Sequence, residues 1–310
     1  MKAILSKAIN KGTGLKLRAG GRPPAAVEVS SQGALAAAGH PPVYGFAPLQ
    51  AGALTPGVAE ANLRAPQAVA EAIRTALDAV NPPKRAVTLL VPDTAVRIFV
   101  LDFDALPTKA AELLPILRFR LRKMAPFDVE HAGLSCQVLS AVKGECRVLA
   151  AVTPGPVLAE YENAVRAAGY EPGAVLPAAL AALETVAPNE ENAASLAVHL
   201  SPEALTTAIV TNNDLLLYRA LELPQNTEHW AEELQRGVAV AMAFYEDKTG
   251  APAKKLSYAG FADISEFAGW LAMPELEVAE LVPRPETGEA TSLGQASLAG
   301  TTGALAGAGK

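Results

Sequence analysis

The sequence predicts an α/β protein made of two units, and three observations support this prediction. Runs rich in β-branched residues alternate along the chain with runs whose apolar residues recur at helical spacing. A polar, proline-containing break at residues 188–192 divides this alternation into a longer and a shorter part. The chain has 310 residues, 50% of them hydrophobic, which is enough to form a core in each part.

Helical spacing and turn residues predict the elements of the first unit. A helix is expected over 66–80, where Val69, Ile73 and Leu77 share one face and the following prolines stop it. A second helix has Thr108 as its N-cap candidate. The complete prediction for this unit is a strand pair at 25–38, the helix 66–80, strands 86–92 and 95–103, the helix 108–123, a hairpin of 133–141 and 145–153, and helices 156–168 and 176–186.

The second unit repeats the alternation on a smaller scale. From about residue 284 the sequence turns to Gly, Ala, Ser and Thr without apolar periodicity, which predicts a disordered tail over 284–310. Before this tail, the expected elements are strands 195–200, 205–211 and 214–221, the helix 227–247, a strand at 256–259, a helix at 264–270 and a strand at 278–281.

Charge and hydropathy exclude several functions. The net charge of −6 argues against binding of nucleic acid, because phosphate contacts need clustered Lys and Arg. No apolar run approaches the roughly 18–20 residues of a membrane-spanning helix. The first 24 residues are basic and predicted to be flexible; they either stay in solvent or touch an anionic membrane surface. Their apolar patch is too short for a signal peptide.

The two cysteines and four histidines carry no expected chemistry. If residues 143–144 form a two-residue hairpin turn, Cys136 falls opposite Ala151. The other cysteine, Cys146, then faces Ala141, so the two sulfurs do not meet and no disulfide is predicted. Free cysteines agree with a reducing cytoplasm. The histidines are scattered without metal-ligand spacing, so no metal site is predicted.

Three acidic residues near the ends of the predicted strands 86–92 and 95–103 are interpreted as structural. Asp93, Asp102 and Asp104 could be read as paired carboxylates for acid–base catalysis. Each of them lies at a turn or near a strand end, and turn chemistry explains them more simply. The sequence also contains no nucleophile elbow, dinucleotide fingerprint or Walker A motif, so no catalytic residue is predicted.

Two neighbouring segments resemble the PilM family of type IV pilus assembly proteins. They are VPDTAVRIFVLDFDALP at 91–107 and LRFRLRKMAPFDV at 117–129, and the resemblance extends in order and spacing over about 25–283. It implies a two-lobed, actin-like (ribonuclease H-like) fold, related to the cell-division protein FtsA. The implied divisions are a flexible N-terminus (1–24), a first lobe (25–187) with an inserted subdomain at about 86–150, a second lobe (188–283) and the tail (284–310).

The resemblance also implies a location and partners. Members of this family lie in the cytoplasm, peripheral to the inner membrane, and bind the N-terminal tail of PilN, a bitopic membrane protein. The implied groove lies beside the inserted subdomain, and components of the pilus motor ATPase are further expected partners. The basic C-terminal part of the helix 108–123 is interpreted either as a solvent-exposed face or as a contact for an acidic or membrane-proximal partner. The candidate partner-binding residues are Val96, Ile98, Val100, Arg118 and Arg120.

The resemblance implies a nucleotide site, but the first phosphate-binding hairpin departs from the family pattern. An actin-like site needs two glycine-bearing hairpins that offer backbone N–H groups, with an Asp near Mg²⁺. The family pattern is close to Asp-Ile-Gly-Ser-Ser-Ser, and this chain reads Glu-Val-Ser-Ser-Gln-Gly at 28–33. A side chain at Ser30 obstructs close backbone approach. The candidate remnants of the cofactor site in this hairpin are Glu28, Ser30 and Gly33.

The other two nucleotide loops depart further. Where the family pattern is similar to Val-Asp-Ile-Gly-Ala-Ser, this chain reads Val-His-Leu-Ser-Pro-Glu at 198–203. Ser201 replaces the glycine, His199 replaces the acid, and Pro202 has no N–H to offer a phosphate. The adenine-side Gly-Gly-Gly motif keeps only Gly260. ATP and Mg²⁺ are therefore disfavoured, and the expected protein is a scaffold rather than an enzyme.

Two alternatives stay open beside the scaffold. One is an actin-like switch in which ATP gates the binding of the partner. The other is the related actin-like component of a type II secretion platform. A sugar-kinase-like enzyme on the same fold would need intact phosphate loops, which this chain lacks.

Overall fold

The computed structural model describes residues 22–107, 110–142, 144–187, 193–211, 214–224, 226–283, 293 and 296–306. Strands and helices alternate through both halves, as the sequence predicts. The first half contains β1 (Ala25–Ser30), β2 (Gly33–Ala38), β3 (Val43–Pro48), α1 (Pro66–Val80), β4 (Ala86–Val91), β5 (Arg97–Phe103), α2 (Ala110–Leu121), β6 (Gly133–Val142), β7 (Glu145–Thr153), α3 (Gly155–Ala167), β8 (Glu171–Pro177) and α4 (Ala178–Ala182).

The second half repeats this alternation and ends in a helix. Within the ranges given above, none of the helices is both long and apolar enough to cross a membrane. The elements are β9 (Ser195–Leu200), β10 (Ala204–Val210), β11 (Leu215–Glu222), α5 (Trp230–Thr249), β12 (Lys255–Gly260), α6 (Ile264–Leu271), β13 (Glu277–Glu280) and α7 (Ala299–Ala306).

Two five-stranded sheets with equivalent strand orders form the framework of the two lobes. The first sheet has the order β3-β2-β1-β4-β8, and the second has the order β11-β10-β9-β12-β13. In each sheet the first three strands form an antiparallel meander, and the last two run parallel to the first strand. Parallel neighbours need crossover connections, which the helices supply. The lobes are therefore two copies of one topology.

Each lobe has its own core, and a third core joins the lobes. Helices α1 and α3 cover one face of the first sheet, and α5 and α6 cover one face of the second sheet. The remaining face of the second sheet packs against α4 and the edge of β5. The buried residues of this third core include Ala179, Leu180, Ala197, Ala208 and Tyr218.

A three-stranded antiparallel sheet and α2 form the subdomain inserted in the first lobe. Its strand order is β5-β7-β6, which makes β5 and β6 its edges. Leu113, Leu117 and Leu121 recur every fourth residue and pack α2 onto one face of this sheet. The sequence predicts the insert at about 86–150. The structure instead assigns β4 to the main sheet, so the insert runs from β5 to β7 (97–153).

The end of the chain differs most from the prediction. The sequence predicts a disordered tail over 284–310, yet residues 299–306 form α7, and Ala299, Gly300 and Ala304 are buried. Helix α7 packs against α4, β1 and β2, on the face of the first sheet opposite α1. A Cβ atom at Gly303 would overlap the carbonyl oxygen of Ala181, so the two backbones approach closely. Residues 284–292 lie outside the described part of the chain.

The hairpin of the insert is predicted correctly except for one register shift. Cys146 faces Ala141, as expected from a two-residue turn. A bulge in β6 then places Cys136 opposite Ala150 rather than Ala151, because an extra residue on one strand moves every later pair. The two cysteines do not form a disulfide.

Other differences concern the ends of elements. The predicted helix 176–186 is shorter: residues 176–177 end β8, and a 3₁₀ turn at Leu183–Thr185 follows α4. Strands β3 and β8 are absent from the prediction because proline and glycine interrupt their apolar pattern.

Arg22 of the predicted flexible N-terminus forms an ion pair with Glu184 at 3.6 Å. Residues 1–21, the N-cap candidate Thr108 and the break at 188–192 lie outside the described residues.

The close approach of α7 gives a first prediction. Gly303→Ala should destabilise the protein by about 1–3 kcal/mol, because the added Cβ must displace the Ala181 backbone. The matched control is Gly269→Ala in α6, where the added Cβ would have no atom within 4 Å. It should be neutral or stabilising by about 0.5–1 kcal/mol. Thermal unfolding measures both, and equal effects of the two substitutions would refute the packing of α7.

Candidate functional site

Two hairpins occupy equivalent positions in the two lobes, where an actin-like fold holds phosphate groups. The first joins β1 to β2, and Ser30 pairs with Gly33 across its turn. The second joins β9 to β10, and the Ser201 N–H donates to the Ala204 carbonyl at 2.9 Å. The predicted positions Ser30, Gly33 and Ser201 therefore lie at the turns of these two hairpins.

In the first hairpin the serine that replaces glycine is bonded to the turn itself. The hydroxyl of Ser30 accepts the Gln32 N–H at 3.3 Å and donates to the Gly33 carbonyl at 3.3 Å. This is the serine equivalent of an Asx-turn, in which a side-chain oxygen satisfies a backbone donor two residues later. The Gln32 N–H, which points into the turn, already has its acceptor.

The second hairpin repeats this arrangement with two donors. The hydroxyl oxygen of Ser201 accepts the Glu203 N–H at 3.3 Å and the Ala204 N–H at 3.0 Å. Pro202 between them has no N–H. Phosphate binding in such loops depends on free backbone N–H groups. The N–H groups of Gln32, Glu203 and Ala204 are hydrogen-bonded to serine hydroxyls, so these three groups do not offer a phosphate group a free donor.

The two glycines among the predicted remnants of the nucleotide site have packing roles in this chain. A Cβ at Gly33 would overlap the Ala47 carbonyl oxygen and lie 2.8 Å from the Phe46 ring, so this glycine permits the contact with β3. A Cβ at Gly260 would overlap the ring of Tyr258. That ring stacks on Phe267 with centroids 4.1 Å apart. Side chains of the protein thus surround both predicted remnants.

Four ionisable side chains meet in the cleft between the hairpins. Glu28 on β1 and Asp93, in a 3₁₀ turn after β4, come from the first lobe. His199 on β9 and Glu203 in the second hairpin come from the second lobe. His199 Nδ1 lies 3.4 Å from Asp93 Oδ2, and both residues are less than 5% exposed. Helix α7 closes the cleft, because a Cβ at Gly300 would overlap Glu28 Oε2.

Burial and mutual repulsion shift the protonation of this cluster. Burial raises the pKa of Glu28 to about 7; the charges of Asp93 and Glu203 add to the rise, and His199 opposes it. Burial also raises the pKa of Glu203. Burial alone would lower the pKa of His199, but its contact with Asp93 and the charges of Glu28 and Glu203 raise it overall. Glu28 and Glu203 therefore keep their protons to a higher pH than exposed carboxyl groups do.

Asp93 is the residue that the sequence interpretation missed. Turn chemistry accounted for it locally, but its carboxylate is 3% exposed and reaches both lobes. It accepts the N–H of Ala179 at 3.2 Å and the hydroxyl of Tyr218 at 3.0 Å. One signal was present: Asp93 follows the carboxyl end of a buried parallel strand, where α/β proteins place functional residues.

The predicted partner-binding residues fall into three environments. Val96 is buried beside a groove that is described below. Ile98 and Val100 are half-buried and pack against the core between the lobes. The guanidinium of Arg118 donates to the carbonyls of Val129 and Ala132.

Arg120 is also engaged within the insert. Its guanidinium donates to the Asp102 carbonyl at 2.5 Å and lies 4.8 Å from the centroid of the Phe103 ring. Both arginines therefore hold the insert together, which explains a basic helix without an external anion.

An apolar groove separates the inserted sheet from the body of the first lobe. Strands β6 and β7 form one wall, and β8, α3 and the residues after β4 form the other. Its cavity volume is about 60 Å³, which is smaller than an ordinary ligand pocket of roughly 300–1,000 Å³, so the groove is shallow. The lining side chains include Val96, Leu134, Ala151, Leu158, Val175 and Leu176.

Comparisons with known proteins identify the fold. No family model matches the chain, and no curated protein matches it. A chain of the PilM–PilN type IV pilus biogenesis complex is 18% identical, with a TM-score of 0.74 over 92% of this chain and 98% of that one. This chain therefore has the actin-like fold, and its structure is similar to that of PilM, as the sequence predicts.

Two further solved structures are similar to this chain with lower TM-scores. The cytoplasmic domain of EpsL, an inner membrane component of the type II secretion system of Vibrio cholerae, is 17% identical, with a TM-score of 0.48 over 91% of this chain and 94% of that one. A protein of unknown function with an actin-like ATPase fold, from Bacteroides thetaiotaomicron, is 11% identical, with a TM-score of 0.47 over 82% of this chain and 90% of that one.

The buried carboxyl group of Glu28 gives a second prediction. Its pKa of about 7 in the folded state exceeds the ordinary 4.5, so folded protein holds a proton that unfolded protein loses between these values. The free energy of unfolding should therefore fall as pH rises from 4.5 to 7, by about 3 kcal/mol in total. Glu28→Gln should remove this dependence and be more stable than the wild type at pH 8.

Chemical unfolding at pH 5 and pH 8 measures the difference. Glu145→Gln, which changes an exposed carboxylate on β7, is the matched control and should follow the wild-type profile. A Glu28→Gln profile parallel to that of the wild type would mean that Glu28 is ionised in the folded protein.

Proposed function

We propose that this protein is a non-catalytic scaffold subunit of a type IV pilus assembly platform, of the PilM type. The observation that carries the proposal is the structural match to the PilM chain over almost the full length of both chains. The same fold also serves kinases and ATPases, so the fold alone does not select a scaffold. The hairpins support a scaffold, because serine hydroxyls already accept turn N–H groups in both loops.

The proposed ligand of the groove is the N-terminal tail of a PilN-like bitopic membrane protein. An extended segment suits this groove, because β6 is an edge strand and the walls are mainly apolar. A peptide strand added to an edge gains backbone hydrogen bonds, while side-chain pockets supply specificity. The groove also lies beside the inserted subdomain, where the sequence resemblance placed the partner.

This function implies where the protein works. A scaffold that binds the cytosolic tail of a membrane protein would lie in the cytoplasm, peripheral to the inner membrane. The platform would then connect it to pilus motor components. The described residues contain no membrane-spanning helix of their own, so attachment would depend on the partner.

Calorimetry with the N-terminal cytosolic peptide of the PilN-like protein encoded beside this chain tests the proposal. The scaffold function predicts saturable binding of one peptide, with the same affinity in the presence and absence of Mg-ATP. Binding that requires Mg-ATP would establish the nucleotide switch instead. An absence of binding under both conditions would contradict the proposed function.

A charge placed in the groove should locate the binding site. Ser135 lies on β6, is exposed, and lines the groove. Ser135→Arg should weaken peptide binding about tenfold or more, because a charged side chain would have to be desolvated against apolar walls. Ser135→Ala is the matched control and should bind like the wild type. Equal affinities for the two variants would place the peptide elsewhere.

A further inference from the structure

Two short segments reach both the cleft between the lobes and the apolar groove. The first is the 3₁₀ turn Asp93–Ala95 with the residue after it: Asp93 points into the cleft, whereas Ala95 lines the groove. The second is the junction of β8 and α4: Ala179 faces Asp93, whereas Pro177 lines the groove. A displacement of either segment would change both sites.

The carboxylate of Asp93 holds these two segments together. Its two oxygens lie 3.2 and 3.3 Å from the Ala179 nitrogen, which joins the 3₁₀ turn to the start of α4. The turn is also fixed from the groove side, where the Thr153 hydroxyl donates to the Ala95 carbonyl at 2.7 Å. Hydrogen bonds to a buried, charged acceptor are among the stronger ones in proteins.

The second lobe contributes to the same carboxylate. The Tyr218 hydroxyl on β11 donates to Asp93 Oδ1 at 3.0 Å, and the His199 ring on β9 lies 3.4 Å from Asp93 Oδ2. If the lobes moved apart, Asp93 would lose these partners while remaining buried, which is unfavourable. Its carboxylate would then reorient, and its hydrogen bond with the Ala179 N–H would weaken.

We propose that Asp93 is a positioning residue that couples closure of the two lobes to the shape of the apolar groove, so that a bound partner segment favours the closed lobes. This inference rests on the proposed function, because it assigns regulation to the same groove. Coupling between sites is reciprocal: closure must strengthen binding by the same factor by which binding strengthens closure. In nucleotide-dependent relatives of this fold a ligand would join the lobes, whereas here protein side chains join them.

A conservative substitution in the second lobe isolates the coupling. Tyr218→Phe removes the hydroxyl that reaches Asp93 and changes no residue that lines the groove. It should weaken binding of the PilN-like peptide about fivefold. The matched control is Tyr245→Phe, which removes a 2.9 Å hydrogen bond to the Ala194 carbonyl on the opposite face of the second sheet. This control should bind the peptide like the wild type.

Hydrogen exchange supplies a readout that loss of stability alone would not produce. Saturating peptide should slow amide exchange in β9 and β10 of the wild type, although neither strand lines the groove, and should not do so in Tyr218→Phe. If wild type and Tyr218→Phe bind the peptide equally and show the same exchange, the coupling is wrong while the proposed function stands.

The coupling can also be tested if the wild type does not bind the peptide at all. That result would contradict the proposed function, but it would not decide the role of Asp93. Without peptide, the amides of Ala95, Val96 and Ala179 should exchange faster in Tyr218→Phe than in the wild type and in Tyr245→Phe. Equal exchange in the three proteins would overturn the coupling by itself.

Discussion

The hydrogen bond from a loop N–H to a serine hydroxyl determines what the cleft between the lobes can do. A backbone N–H group has one hydrogen to donate, and a phosphate-binding loop works because its N–H groups stay free until the anion arrives. Ser30 and Ser201 replace this anion with an oxygen that belongs to the loop. In each hairpin the serine hydroxyl thus occupies turn N–H groups that an anion would otherwise bind, and the lobes associate through other side chains.

Side chains of the protein supply that association. Asp93 receives donors from both lobes, and the surrounding small apolar residues form a core between the two sheets. Two ion pairs of 2.5 Å, Arg97–Glu222 and Arg147–Asp214, connect the insert to the second lobe at the surface, where such pairs contribute little. Helix α7 covers the cleft beside Glu28. The contacts that join the lobes are therefore made by side chains of the chain itself.

The sequence predicts the elements that depend on a local pattern of residues. It does not predict the features that depend on contacts between distant parts of the chain. Helix α1 is predicted with its observed ends because its apolar spacing and the following prolines are both local signals. Helix α7 is missed because it consists mainly of Ala, Gly and Thr, which give no apolar periodicity. Its residues become buried only because they pack against the small residues of α4. The role of Asp93 is missed because Tyr218 and His199 follow it by more than a hundred residues. The sequence shows that the nucleotide loops differ from the family pattern. Only the three-dimensional structure shows that serine hydroxyls accept the N–H groups of these loops.

Amide NMR spectra of the hairpins, recorded while Mg-ATP is added, test the central claim most directly. The relevant signals are the N–H groups of Gln32, Glu203 and Ala204, whose acceptors are the serine hydroxyls. If the serine hydroxyls keep these N–H groups, the chemical shifts of the three signals should stay constant while Mg-ATP is added. This holds for every nucleotide concentration that leaves the rest of the spectrum unchanged. A selective, saturable shift of these three signals would show that a phosphate group displaces the hydroxyls. It would contradict the claim that the serine hydroxyls keep these N–H groups.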